Sequence, residues 1–290
     1  MQAHKFIKSL LRGVGQVMFQ NNALSGALML AGIFCNSVTM GIFALAGTIV
    51  STVTAKLAGY SSEEIDNGLY GFNGTLVGIG IPCFLAIDMR SVILMIAASA
   101  LSSWVAHAFG RQKLLPGLTA PFVVITWGIL LLSASVPALQ PAATAAGTPE
   151  NTLLPMKAFS LGFGQIMLQG NSIITGWLFL LGIAVNSRVM ALRAAAACLT
   201  SLAFGLAPFA DTNAVNSGLF GYNAILAFIA ITDIVVMSGA KHSKAIAALL
   251  FSFLYQYIGM KIGLTTLTAP FVLAVWTVVL YDKARAKLTV

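Results

Sequence analysis

Apolar residues run along this chain in long stretches, and polar residues collect in the gaps between them. In the first half the stretches fall near 22–37, 40–58, 69–87, 91–108 and 115–137, after a shorter piece at 6–19. In the second half a short piece at 156–168 precedes stretches near 172–187, 189–207, 219–238, 243–259 and 265–281. The runs are continuous, without the alternation that marks the ~10-residue strands of a membrane barrel. They predict helices. In lipid every backbone group must be paired inside its own segment, so the expected fold is an all-α polytopic membrane protein. The two short pieces cannot cross ~30 Å of hydrocarbon, which takes about 20 helical residues.

The chain also repeats itself. "GLYGFN" at 68–73 returns as "GLFGYN" at 218–223, "GVGQVM" at 13–18 as "GFGQIM" at 162–167, and "GLTAPFVVITW" at 117–127 as "TLTAPFVLAVW" at 266–276. The offset is 149 or 150 each time. Three landmarks in one order mark two tandem halves. We read 1–138 as the first transmembrane repeat, 156–290 as the second, and the Pro-, Ala- and Thr-rich 139–155 as an exposed linker. About five crossings per half is an odd number, so the second half must enter the membrane from the opposite side. The expected architecture is two inverted-topology repeats, each with one half-membrane helix besides its spans, and a site near the midplane between them. Lys5, Lys8 and Arg12 near one end, and Lys283, Arg285 and Lys287 near the other, place both termini in the cytoplasm and the linker outside.

Composition agrees: 58% of residues are hydrophobic and 8% charged, against about 25% charged in a soluble domain. The net charge of +8 belongs to membrane-flanking Lys and Arg and not to a nucleic-acid surface, since no basic cluster is interleaved with stacking aromatics. Cys35, Cys83 and Cys198 lie far apart without metal-ligand spacing and read as packing residues. No cleavable signal peptide is expected, because Arg12 interrupts the first apolar piece early.

The eight acids are Glu63, Glu64, Asp66, Asp88, Glu150, Asp211, Asp233 and Asp282, and nearly all fall in connections or at span ends. A proton relay or cation site would need a carboxylate inside the membrane. The repeated polar residues are instead neutral: Gln16 and Gln165, Asn73 and Asn223, Thr119 and Thr268. Each carries an acceptor oxygen. The two Asn residues are read first as caps of broken helices. The Ala-Pro pairs after Thr119 and Thr268 interrupt regular helix and free carbonyls, which membranes tolerate where they line a cavity. Oxygen edges beside the rings of Phe19, Phe72 and Tyr222 suit a small, planar, neutral solute rich in N–H donors, such as urea. An ion-coupled transporter, or a channel for ammonia or another small amide, are the alternatives. No His falls in a repeated motif and no GxSxG occurs, so no enzyme, metal or cofactor is expected.

With these landmarks the chain resembles the urea transporter family over almost its whole length. "LLPGLTAPF" at 114–122 is similar to the family signature, and "GLYGFNGTLVG" at 68–78 to its pore-helix box. The resemblance implies a bacterial inner-membrane channel with one pore per subunit, assembled as a homotrimer in contact with lipid, passing urea passively. It implies a filter of Gln16, Phe19, Phe72, Leu76 and Thr119 with Gln165, Tyr222, Leu226 and Thr268. The second signature departs at Thr265, where the first has Pro116; Ala23 stands where the family often has proline; and Tyr222 adds a hydroxyl absent from Phe72.

Overall fold

The structure is a computed structural model that describes residues 2–143, 152–204, 207 and 211–288. Residues 144–151 of the predicted linker, with Glu150, lie outside the described residues. Among the described residues fourteen α-helices follow one another: α1 Gln2–Gln16, α2 Ala23–Asn36, α3 Val38–Leu57, α4 Ser62–Asp66, α5 Gly71–Phe84, α6 Met89–Arg111 and α7 Ala120–Ser135, then α8 Pro155–Gly164, α9 Ile173–Asn186, α10 Arg188–Phe204, α11 Thr212–Asn216, α12 Gly221–Ile229, α13 Lys241–Lys261 and α14 Ala269–Leu288. No strand occurs among the described residues. Each predicted apolar stretch holds one of the longer helices. Of the helices whose composition suits a span, α3 and α6 are long enough to cross a bilayer, with 20 and 23 residues. The 14-residue α2, α5 and α9 reach about 21 Å at 1.5 Å per residue, short of the ~30 Å hydrocarbon core.

The halves use the same neighbours. α1 packs on α2 as α8 packs on α9, α3 on α5 as α10 on α12, and α6 on α7 as α13 on α14. The hexapeptide glycines explain part of this. Gly68 and Gly218 sit at φ +77° and +76°, a region that L side chains rarely adopt. A Cβ on Gly68 would lie 2.4 Å from the Gly13 nitrogen, and one on Gly218 2.3 Å from the Leu161 carbonyl carbon. Side-chain-free turns thus let α1 and α8 lie directly on the starts of α5 and α12.

Leu118 and Leu267, at φ 47° and 50°, break the chain in the left-handed region just before the repeated Thr residues. Pro121 and Pro270 then stand in the first turns of α7 and α14, where their missing N–H costs no helix bond. The predicted interruption at Thr-Ala-Pro is therefore a helix start, not a kink inside one span. The amide of Phe122 donates to Asn73 Oδ1 at 3.0 Å, and that of Phe271 to Asn223 Oδ1 at 3.1 Å. Both Asn residues cap a free helix start from a neighbouring helix, in agreement with the first reading of them.

Candidate functional site: a seam of neutral oxygens between the halves

The halves meet through contacts made once in each direction. Trp127 Nε1 donates to the Thr265 carbonyl, and Trp276 Nε1 to the Pro116 carbonyl, both at 2.8 Å. Residue i meeting j while the equivalent of j meets that of i is the signature of an approximate two-fold contact. Between these bonds, Thr119 Oγ1 lies 2.7 Å from Thr268 Oγ1. Each Thr is 2% exposed. A Thr in an apolar helix commonly bonds the carbonyl one turn back, as Thr54 and Thr200 do here. Thr119 and Thr268 instead bond each other at the contact of the halves.

The two glutamines hold equivalent positions. Gln16 Nε2 donates to the Asn67 carbonyl at 2.9 Å, and Gln165 Nε2 to the Ser217 carbonyl at 3.1 Å. Each bond uses one N–H, and Oε1 is the acceptor end of each amide. Directly after them the chain turns through the left-handed region at Phe19 (φ 61°) and Leu168 (φ 59°). Such backbone in bulky residues persists only where the surroundings enforce it, and it gathers at functional sites. The Phe19 ring stands edge-on to Phe271 at 6.1 Å.

A cavity of about 280 Å³ opens beside the first-half residues, lined by Gln16, Phe19 and Phe72 among the expected site residues. Leu76, Thr119, Gln165, Tyr222, Leu226 and Thr268 do not line it. Leu76 and Leu226 are fully buried at equivalent places in α5 and α12. Tyr222 donates its hydroxyl to the Leu267 carbonyl and lies 3.2 Å from Thr266 Oγ1. The cavity wall also holds Glu64, Asn73 and Leu118, and Ile234 from the second half. Sequence reasoning missed Glu64 as a wall residue, because it looked like an ordinary loop acid. The Tyr70 hydroxyl donates to Glu64 Oε2 at 2.8 Å and meets His107 Nδ1 at 3.1 Å. The left-handed Leu118, Leu168 and Leu267 were also missed; for Leu118 and Leu267 the signal was there in the repetition of "LTAPF", and Leu168 directly follows the repeated "GFGQIM".

Of the remaining acids, Asp88 and Asp211 cap α6 and α11. Asp233, the one of doubtful depth in sequence, forms an ion pair with Arg193; Asp66 pairs with Lys5 at 2.6 Å and Asp282 with Lys244. Among the described residues no His, Cys, Asp and Glu group could hold a metal ion.

This arrangement can strip a small neutral molecule of water and offer it oxygens, but it assembles no nucleophile with a base. Comparison with known proteins agrees. Residues 7–283 match the family described as urea transporter. The chain is 30% identical over 301 residues to urea transporter 1 of Ovis aries, covering 94% of this chain and 76% of that one. It is 32% identical over 272 residues to urea transporter 1 of Rattus norvegicus, covering 86% of this chain and 68% of the relative. This chain belongs to the urea transporter family, and is with that an integral membrane transport protein and not an enzyme.

Proposed function

We propose that the protein passes urea down its own gradient, through a pore between two inverted repeats whose narrowest point is the Thr119–Thr268 pair. That pair carries the reading. Two buried hydroxyls from equivalent positions bond each other across the contact of the halves, and a solute with several N–H donors can part them by replacing one hydrogen bond with two. Gln16 and Gln165 oxygens stand on either side in sequence register, and Phe19, Phe72 and Tyr222 supply the apolar faces. Leu76 and Leu226 close the wall between them. The loss of a hydrogen bond costs the solute about 1 kcal/mol net, so neutral oxygens placed along the path lower the barrier without binding a cation.

Contacts at one end of the bundle support termini on a common side. Lys5 of α1 pairs with Asp66, Glu64 reaches His107 of α6 through Tyr70, and Lys283 of α14 donates to the carbonyls of Lys113 and Leu114, just after α6. By the positive-inside rule that side is cytoplasmic. A homotrimer in a bacterial inner membrane, in contact with its lipid, completes the reading.

One observation favours a second reading: the Glu64 carboxylate in the cavity wall could hold a cation for coupled transport. Labelled-urea flux into liposomes, with and without an imposed proton or sodium gradient, separates the two. Equilibration to the outside concentration supports the passive pore. Accumulation above it under either gradient rejects that pore in favour of coupling, and no flux rejects both.

A further inference from the structure

Around their Asn caps the halves differ at three places. Phe72 stands where the second half has Tyr222, His107 where it has Gln256, and Gly117 where it has Thr266, at offsets of 150, 149 and 149. In the second half those side chains close up. Asn223 Nδ2 donates to Gln256 Oε1 at 3.0 Å and lies 3.4 Å from the Leu267 carbonyl, and the Thr266 hydroxyl donates to the same Gln256 oxygen at 2.9 Å. In the first half His107 faces elsewhere, stacked on Tyr60 with ring centroids 3.8 Å apart and bonded to Tyr70. Gly117 brings no side chain. Asn73 is fully buried and its Oδ1 holds the Phe122 amide, but its Nδ2 has no partner. Asn73 is among the residues around the cavity of about 280 Å³, together with Gly117 and Leu118.

A buried amide N–H without an acceptor is costly, and native proteins rarely keep one without a use. We propose that Asn73 Nδ2 is a donor subsite for the carbonyl oxygen of the permeating solute. The inference rests on the reading of this seam as the path of urea. Most of the polar groups along that path offer oxygens, which suit the solute's N–H groups, while its single carbonyl needs a donor. Asn73 serves it, with the N–H groups turned toward Gln16 Oε1. The second half cannot repeat the contact, because Gln256 already occupies Asn223. The subsite therefore makes the path directional in structure: the carbonyl is recognised in the first-half cavity. It also favours a urea-like amide over ammonia, which has no carbonyl. A water, needing about 30 Å³, offers the same acceptor chemistry and is the competing occupant.

Selenourea separates them, because selenium replaces the carbonyl oxygen and is located by anomalous scattering. Crystals of the full-length protein grown with selenourea should show selenium in contact with Asn73 Nδ2. Crystals of Asn73→Asp, which keeps an oxygen for the Phe122 amide, should lose that peak. Urea flux through Asn73→Asp in liposomes should fall about three- to tenfold, the change expected for one neutral hydrogen bond. Selenium found elsewhere in the pore with only a water at Asn73, no selenium beside Asn73 at all, or a peak that persists in the Asp variant, overturns the subsite. Urea flux through the parent in the same preparation tests the pore separately, so a conducting protein with no selenium at Asn73 sinks this inference alone.

Discussion

The two halves share a backbone plan and differ in what fills it. Both turn at a positive-φ glycine, both break at a left-handed Leu, and both cap the next helix with an Asn. In the second half Tyr222, Asn223, Gln256 and Thr266 then satisfy one another and the Leu267 carbonyl. In the first half the same positions leave a cavity and an unpaired amide. The lesson is that the Thr pair and the broken helices are the same in both halves, while the walls differ: one is closed by side-chain hydrogen bonds and the other stands beside a cavity.

The largest effects should come where the halves are the same. Gly68→Ala and Gly218→Ala each force a Cβ onto the backbone of α1 or α8, and each should cost about 3 kcal/mol. Thermal unfolding in detergent reads this. Gly59→Ala, also at positive φ but with nothing within 4 Å, should cost only about 1 kcal/mol. If all three cost the same, backbone strain and not close helix approach explains the repeated glycines.

Next in size are the paired hydroxyls. Thr119→Val and Thr268→Val should each raise the permeation barrier by about 1–3 kcal/mol, roughly 5- to 150-fold in flux. Thr→Ser should keep most activity. Because the two hydroxyls are each other's partner, the double Val variant should lose less than the sum of the singles; full additivity in liposome flux would show that they act separately. Val at Thr277, whose hydroxyl bonds its own helix and Tyr255, should be nearly silent.

A smaller difference should mark the closed wall. Tyr222→Phe takes the shorter of two donors from the Leu267 carbonyl and should destabilise the fold by about 1 kcal/mol. Phe72→Tyr makes the converse change, putting a hydroxyl beside the Leu118 carbonyl in the open cavity. It should leave unfolding nearly unchanged and slow urea flux. Equal effects of the two on stability would erase the distinction between the walls. The smallest effect belongs to Glu64→Gln. A neutral solute gains nothing from its charge, so flux should change by less than about twofold, and a large loss would point to a cation.

Much of this was legible in the sequence, for physical reasons. Helices in lipid must be long and apolar, so their positions showed as runs, and each run overlaps one of the longer helices, while the short α4 and α11 fall between runs. The Thr residues stood out through register, and Asn73 and Asn223 as caps through their place in the glycine box. What the sequence could not show is which way a side chain turns. His107 and Gln256 occupy the same register, yet one faces Tyr60 and the other Asn223. Glu64 reads as a loop acid until α4 folds it against Tyr70. That Thr119 meets Thr268, 149 residues away, depends on packing that periodicity does not carry.

The claim that solute passes between the Thr119 and Thr268 hydroxyls can be tested by closing that gap. With oxygens 2.7 Å apart, cysteines at both positions are near enough for a disulfide, which needs Cβ atoms about 3.5–4.5 Å apart. In a background with Cys35, Cys83 and Cys198 replaced, Thr119→Cys/Thr268→Cys should conduct urea into liposomes when reduced. When oxidised it should stop, and reductant should restore the flux. A variant shown by mass to be fully cross-linked that still conducts urea at the reduced rate would place the path elsewhere.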